Sequence, residues 1–152
     1  MTRRVLLDTN LLIAALDAGG TTSDEQRTEA KQKLNALLSD ATVALAITPL
    51  IRYEVLRGIA WDENERYQQL QQILADFEEF DISRDVSELA ANLFRFDVNN
   101  AKTLKQPRNF EKRKFDVFHL ASAQCNALEL DSQDTDIAKL YQQYAHYLAE
   151  IR

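Results

Sequence analysis

Turn formers and chain breakers are scarce. Three glycines and two prolines in 152 residues leave little material for a loop-rich or disordered protein. There is a single cysteine, Cys125, so no internal disulfide can form. The expectation is a reduced, cytoplasmic setting, with Cys125 a small core residue rather than a nucleophile. No apolar run approaches the roughly 20 residues of a membrane span, and Asp8 interrupts the first apolar run, so no signal-peptide pattern opens the chain. Internal repeats, low-complexity tracts and linkers are absent too. With 45% apolar residues the chain can bury a sizeable core, and its length fits one domain spanning residues 1–152.

Positive charge is also in short supply: 18 lysines and arginines face 24 acids, a net charge of −6. That sum disfavours a nucleic-acid partner, but the distribution matters more. Residues 102–114 carry Lys102, Lys105, Arg108, Lys112, Arg113 and Lys114 against Glu111 alone, and the remainder has 12 basic and 23 acidic residues. The basic stretch fits a solvated surface segment or one that contacts phosphate.

What is present is an alternation of short apolar runs with longer helical stripes. Val5–Leu7 reads as a buried strand that stops at Asp8-Thr9-Asn10. A short apolar helix over Leu11–Leu16 follows, with Thr9 or Asn10 suited to cap it. After the Gly19-Gly20 break, Ser23 and Gln26 form a capping-box pattern that opens a helix to about Ser39. Val43–Ile47 reads as a second strand, and Thr48-Pro49 starts a helix ending near Gly58. Asp62 with Glu65 suggests another helix start, Phe80–Ile82 a short third strand, and Ser83 the cap of the next helix. Asn99–Asn109 is polar and basic and reads as a loop. A helix over Phe110–Asn126, a weak strand over Ala127–Leu130 and a final helical stripe from Ile137 to Ile151 complete the chain. Such alternation predicts an α/β fold with a short, mostly parallel sheet of four or five strands, covered on both faces.

Four acids stand out by placement. Asp8 ends the first strand, Glu54 lies on the helix after the second, Asp116 opens the helix before the fourth, and Asp134 follows the fourth. Ligands of open parallel sheets sit beyond the carboxyl ends of the strands, so parallel strands bring Asp8 and Asp134 out at one edge. Two unit charges at 4 Å repel by about 4 kcal/mol at an effective dielectric near 20. A fold that gathers carboxylates needs compensation, and Mg²⁺ or Mn²⁺ is the natural candidate, because hard cations take oxygen ligands and share their shell with phosphate. Such an ion would acidify a bound water and neutralise charge on phosphorus oxygens. Thr9 is placed to orient a carboxylate or a metal-bound water. For most acids here the ordinary reading is a solvated surface carboxylate, and for Asp136 it is a helix N-terminal acid.

These segments resemble the PIN domain family. Leu6-Leu7-Asp8-Thr9-Asn10 is similar to its opening motif, and Tyr53-Glu54-Val55-Leu56-Arg57-Gly58 to its second. The run Phe115-Asp116-Val117-Phe118-His119-Leu120-Ala121-Ser122-Ala123 resembles its third, and Ser132-Gln133-Asp134-Thr135-Asp136-Ile137 its fourth. The resemblance spans nearly the whole chain and implies a three-layer α/β/α metal-dependent ribonuclease. A compact single domain looks most like the VapC-type toxins of toxin–antitoxin pairs. Carried over by position, Asp8, Glu54, Asp116 and Asp134 would hold one or two Mg²⁺ or Mn²⁺ ions, with Thr9, Asn10, Ser132 and Asp136 supporting them. The family also implies an RNA substrate, a homodimer and an antitoxin that docks near the acidic pocket. The chain departs from the pattern in three places: Ser132 stands for the usual threonine, Ile137 for a common aromatic, and the last segment reads as helix where the family often ends in a strand. Asp134 is favoured over Asp136 because it lies closer to the strand end.

Other residues have two readings. Arg57 is placed to pair with Glu54 on its helix or to meet phosphate. Lys112, Arg113 and Lys114, beside Asp116, are the best candidates for gripping an RNA backbone. His119 reads as a partly buried packing residue, and Trp61 and the tyrosines as mostly core, although aromatic rings can stack on bases. Two other functions fit parts of the pattern. One is a non-catalytic RNA-binding or adaptor domain, since fold alone does not fix activity. The other is an Asp8-centred phosphotransfer enzyme, disfavoured because Asn10 stands where such enzymes usually carry a second aspartate.

Overall fold

The computed structural model of the chain describes residues 2–18, 20–105, 109–131 and 135–150. Strand β1 (Arg3–Leu7) leads into helix α1 (Thr9–Leu16) and then α2 (Asp24–Ser39). Next come β2 (Val43–Ile47), α3 (Pro49–Leu56), α4 (Asn64–Ala75) and β3 (Glu78–Glu79). The second half runs α5 (Arg84–Leu104), α6 (Phe110–Cys125), β4 (Glu129–Asp131) and α7 (Thr135–Glu150).

The four strands lie in the order β3-β2-β1-β4, and all three pairings are parallel. Leu6 of β1 is matched with Ala46 on one side and Leu130 on the other. Val5, Leu6 and Leu7 are all buried. Successive strand residues point to opposite faces, so both faces of β1 are covered, as a sheet wound with helices on each side requires. One apolar cluster joins β1 and β2 to α1, α2, α3 and α4, and a second lies between α5 and α6. Leu130 of β4 packs against both. Chain order steps away from β1 in one direction to β2 and returns on the other side to β4. The C-terminal end of β1 is therefore the switch point where such sheets open a crevice.

Local chemistry explains most element starts. Ser23, Thr48 and Ser83 each accept the N–H three residues on, from Gln26, Ile51 and Val86 at 3.2 Å. Pro49 follows Thr48 as the first residue of α3. The cap of α1 is neither Thr9 nor Asn10 but Asp8, whose Oδ1 accepts the Asn10 N–H at 3.2 Å. An aspartate at this position satisfies an orphan donor and complements the helix dipole.

Other expectations are corrected. The third strand is Glu78–Glu79 rather than Phe80–Ile82, although the Phe80 N–H still bonds the Ile47 carbonyl at 3.0 Å. Asp62 does not cap α4, which begins at Asn64 without a side-chain cap. The stretch from Asn99 to Leu104 is helix, not loop: α5 runs on through it and stops at Lys105, which takes a left-handed conformation (φ 52°). The polar composition of that stretch belongs to the outer side of a helix that buries Asp97 and Ala101 one turn apart. Cys125 is exposed rather than core. Partial desolvation and then the Asp85 carboxylate raise its thiol above the ordinary value, so it is a poor nucleophile. No helix among the described residues is long and apolar enough to cross a membrane.

Arg113 corrects a site expectation. It is buried, and its Nε lies 3.1 Å from the fully buried Asp97 Oδ2, which joins α6 to α5. A cation spent in this way cannot grip an RNA backbone. Removing one partner of a buried pair leaves an uncompensated charge and costs about 3–5 kcal/mol. Asp97→Ala is therefore expected to lose stability on that scale in urea unfolding, whereas Lys114→Ala, at an exposed pair with Glu111, is expected to change it by at most about 1 kcal/mol.

Candidate active site

The crevice at the end of β1 is a cleft of about 420 Å³. Three elements bring acids to it: Asp8 from the β1–α1 junction, Glu54 from α3 and Asp116 from α6. Asp116 is buried and Asp8 is half-buried. Thr9 and Asn10 also line the cleft, Thr9 buried and Asn10 exposed. Ser132 and Asp134 lie outside the described residues. Asp136 falls in the first turn of α7, but its side chain is outside what is described.

Glu54 is held by two side chains from other helices. Its Oε1 lies 2.6 Å from His119 Nε2 and accepts a hydrogen bond from Thr9 Oγ1 at 3.3 Å. Thr9 Oγ1 is also 3.5 Å from the same imidazole nitrogen. An ionised carboxylate can only accept, so Nε2 is the donor in the short contact. The other ring nitrogen, His119 Nδ1, is buried and makes no hydrogen bond to the protein. His119 is thus a site residue that composition and stripe analysis assigned to packing. The signal that could have found it was its spacing: three residues after Asp116 on a helix puts it on the same side.

The cations at the cleft are Arg57 and Lys112. Arg57 does not serve as a simple helix-face partner for Glu54. Its guanidinium lies 4.9 Å from the Phe115 ring centre and 5.5 Å from that of Tyr53. The two rings stack at 6.5 Å with 22° between their planes. Trp61 is 96% exposed and Tyr53 54% exposed, so neither is core as the sequence suggested.

The donors gathered here are carboxylate oxygens, with no thiolate among them. Such a set suits a hard divalent cation that keeps several waters, as Mg²⁺ does, rather than a soft metal. Among the described residues, no group of three or more acids, histidines or cysteines stands close enough together to hold a metal ion by itself.

The model of the PIN domain matches residues 5–143. The chain belongs to the PIN domain family. Residues 5–143 run from within β1 to about the middle of α7, so every strand falls in the match in whole or in part. Solved structures similar to it include two assemblies. One is a toxin–antitoxin complex from Klebsiella pneumoniae, 29% identical, with 86% of this chain and 87% of that one covered at a TM-score of 0.53. The other is VapBC2 from Rickettsia felis bound to a DNA fragment from their promoter. It is 13% identical, covers 90% of this chain and 92% of that one, has a TM-score of 0.61, and bears on the fold alone. No curated protein matches the sequence.

The hold on Glu54 is open to measurement. His119→Leu takes the donor from a carboxylate that is nearly buried, and hydrogen bonds to charged groups contribute about 1.5–3 kcal/mol. The loss is expected on that scale in chemical denaturation. Thr9→Val, which removes the longer bond, is expected to cost about 1 kcal/mol. Equal stability of His119→Leu and the parent would show that the contact carries no weight.

Proposed function

We propose that this PIN domain is a divalent-metal-dependent endoribonuclease that hydrolyses RNA phosphodiester bonds, and that it acts as the toxin of a toxin–antitoxin pair. The observation that carries this reading is the convergence of Asp8, Glu54 and Asp116 from three separate elements on one cleft at the sheet's switch point. Mg²⁺ or Mn²⁺ would be held by these three, with Asp134 the fourth ligand on the strength of the family resemblance. When bound, such an ion supplies an acidified water and a counter-charge for phosphate oxygens. The protein's own part is positional. Asp8 is anchored as the cap of α1, Thr9 and His119 hold one oxygen of Glu54, and Lys112 and Arg57 line the cleft as cations that would meet phosphate.

The similar toxin–antitoxin complex from Klebsiella pneumoniae supports a cognate antitoxin as partner, and we propose that residues 1–152 act as one domain, paired as a homodimer. A non-catalytic RNA-binding domain on the same fold would have no use for three acids lining one cleft.

The test is cleavage of RNA by purified protein with Mg²⁺ or Mn²⁺. Asp8→Asn and Asp116→Asn are each expected to lower the rate by at least about a hundredfold, the scale of losing a group that stabilises developing charge, while circular dichroism stays unchanged. Mn²⁺ at about 100 times its dissociation constant is expected to stabilise the parent by about 2.7 kcal/mol, with the shift lost in Asp116→Asn. Variants that cut RNA at the parental rate would refute the assignment. Salt-sensitive RNA binding without any metal-dependent cleavage would favour the adaptor reading instead.

A further inference from the structure

Among the described residues, Asp8, Glu54, Asp116 and Glu111 line the cleft together with two cations, Arg57 and Lys112. Arg113, beside them in sequence, is paired with Asp97, and Lys114 lies 3.0 Å from Glu111.

The structure offers planar surface at the same place. Tyr53 and Phe115 stack in a near-parallel pair, and the Arg57 guanidinium lies over both rings. Arg57 and Phe115 line the cleft itself. Each ring immediately precedes one of the acids, Tyr53 before Glu54 and Phe115 before Asp116, so the elements that place the acids also place the rings. Tyr53 is more than half exposed, which a packing role would not leave. Aromatic rings and guanidinium planes are what unstacked bases bind in single-stranded RNA, with little regard to sequence.

We infer that Tyr53, Arg57 and Phe115 form a base-stacking subsite at the rim of the cleft that receives one base of the bound RNA strand. The inference rests on the ribonuclease reading of the cleft. The guanidinium, braced on both rings, presents a flat cationic surface that stacks on a base and stands near its phosphate.

Binding and cleavage can be read separately. Short single-stranded oligoribonucleotides carrying 2-aminopurine, or an abasic residue, at successive positions are titrated into the Asp8→Asn protein with Mg²⁺ and, in parallel, into the parent with chelator. Stacking is expected to quench the 2-aminopurine at one position. Tyr53→Ala is expected to abolish that quench and weaken binding roughly tenfold or more, the scale of one base–aromatic stack. The abasic residue at that position is expected to weaken the parent similarly and to add little to Tyr53→Ala. Tyr53→Phe is expected to bind like the parent. Undiminished binding by Tyr53→Ala, equal losses on intact and abasic strands, or no binding of single strands by the parent would each overturn the inference. So would a Tyr53→Ala protein that binds RNA normally but no longer retains a co-expressed protein partner, since the rings would then be a protein-docking surface. Failure of the ribonuclease reading looks different: position-specific quenching persists, but the parent shows no metal-dependent cleavage.

Discussion

One carboxylate oxygen holds the site together. Glu54 Oε1, on α3, is reached by His119 of α6 and Thr9 of α1, so a single atom joins three helices that share no sequence neighbourhood. Three acids from separate elements line the cleft. The donors aimed at Glu54 stabilise its charge and fix its direction at once. Asp8 is stabilised by a different device with the same effect, its oxygen taking the N–H of Asn10 at the start of α1. Each acid so described is thus fastened by the element next to it, and the cleft exists because β1 ends where α1, α3 and α6 can all reach.

The parallel sheet makes that reach possible. β1 is central, flanked by β2 and β4, and the elements that follow its neighbours start at the same edge. Thr48 and Pro49 start α3 directly after β2, which places Glu54 less than two turns into its helix. Asp116 arrives by another route, on the helix that precedes β4, and needs α5 to set its height. The buried Arg113–Asp97 pair couples those two helices. A charge that sequence proximity assigned to RNA therefore serves to position the acid three residues later.

How much of this was legible in the sequence follows from what each signal reports. Buried strands and capped helices are local, and β1, β2, α2 and α3 were readable from apolar runs and from Ser23, Thr48 and Pro49. Asp8 stood out by its place directly after the buried strand β1, and Glu54 and Asp116, inside their helices, stood out by resemblance to family motifs; all three line the cleft. Asn99 to Leu104 was not, since a polar composition describes the exposed side of a long helix as well as it describes a loop, and only Asp97 and Ala101 turning inward tell them apart. Arg113 and His119 were misjudged for a related reason. Whether a cation faces solvent or a buried aspartate, and whether a histidine packs or donates, depends on α5 and α3, which lie far away in sequence. Tyr53 and Trp61 failed in the opposite sense: helical spacing and ring size suggested burial, and tertiary placement left them outside.

Helix α6 shows what the site asks of the fold. Arg113, Asp116, His119 and Ser122 recur every third residue, and all four are buried, a polar ridge along an i±3 row of the kind that packs into a neighbouring groove. Apolar residues of the same helix, Val117, Leu120 and Ala121, carry the packing against α5. The ridge runs beside them and does different work at each step: an ion pair to α5, an acid for the cleft, a donor for Glu54. His119 Nδ1 and Ser122 Oγ, on this ridge, are buried without a hydrogen-bond partner among the described residues. An all-apolar α6 would leave Asp97 and Glu54 without the donors that it supplies. A helix that buries this ridge instead has its sequence set by the cleft it serves, which is why its residues are better explained by what they hold in place than by what they pack against.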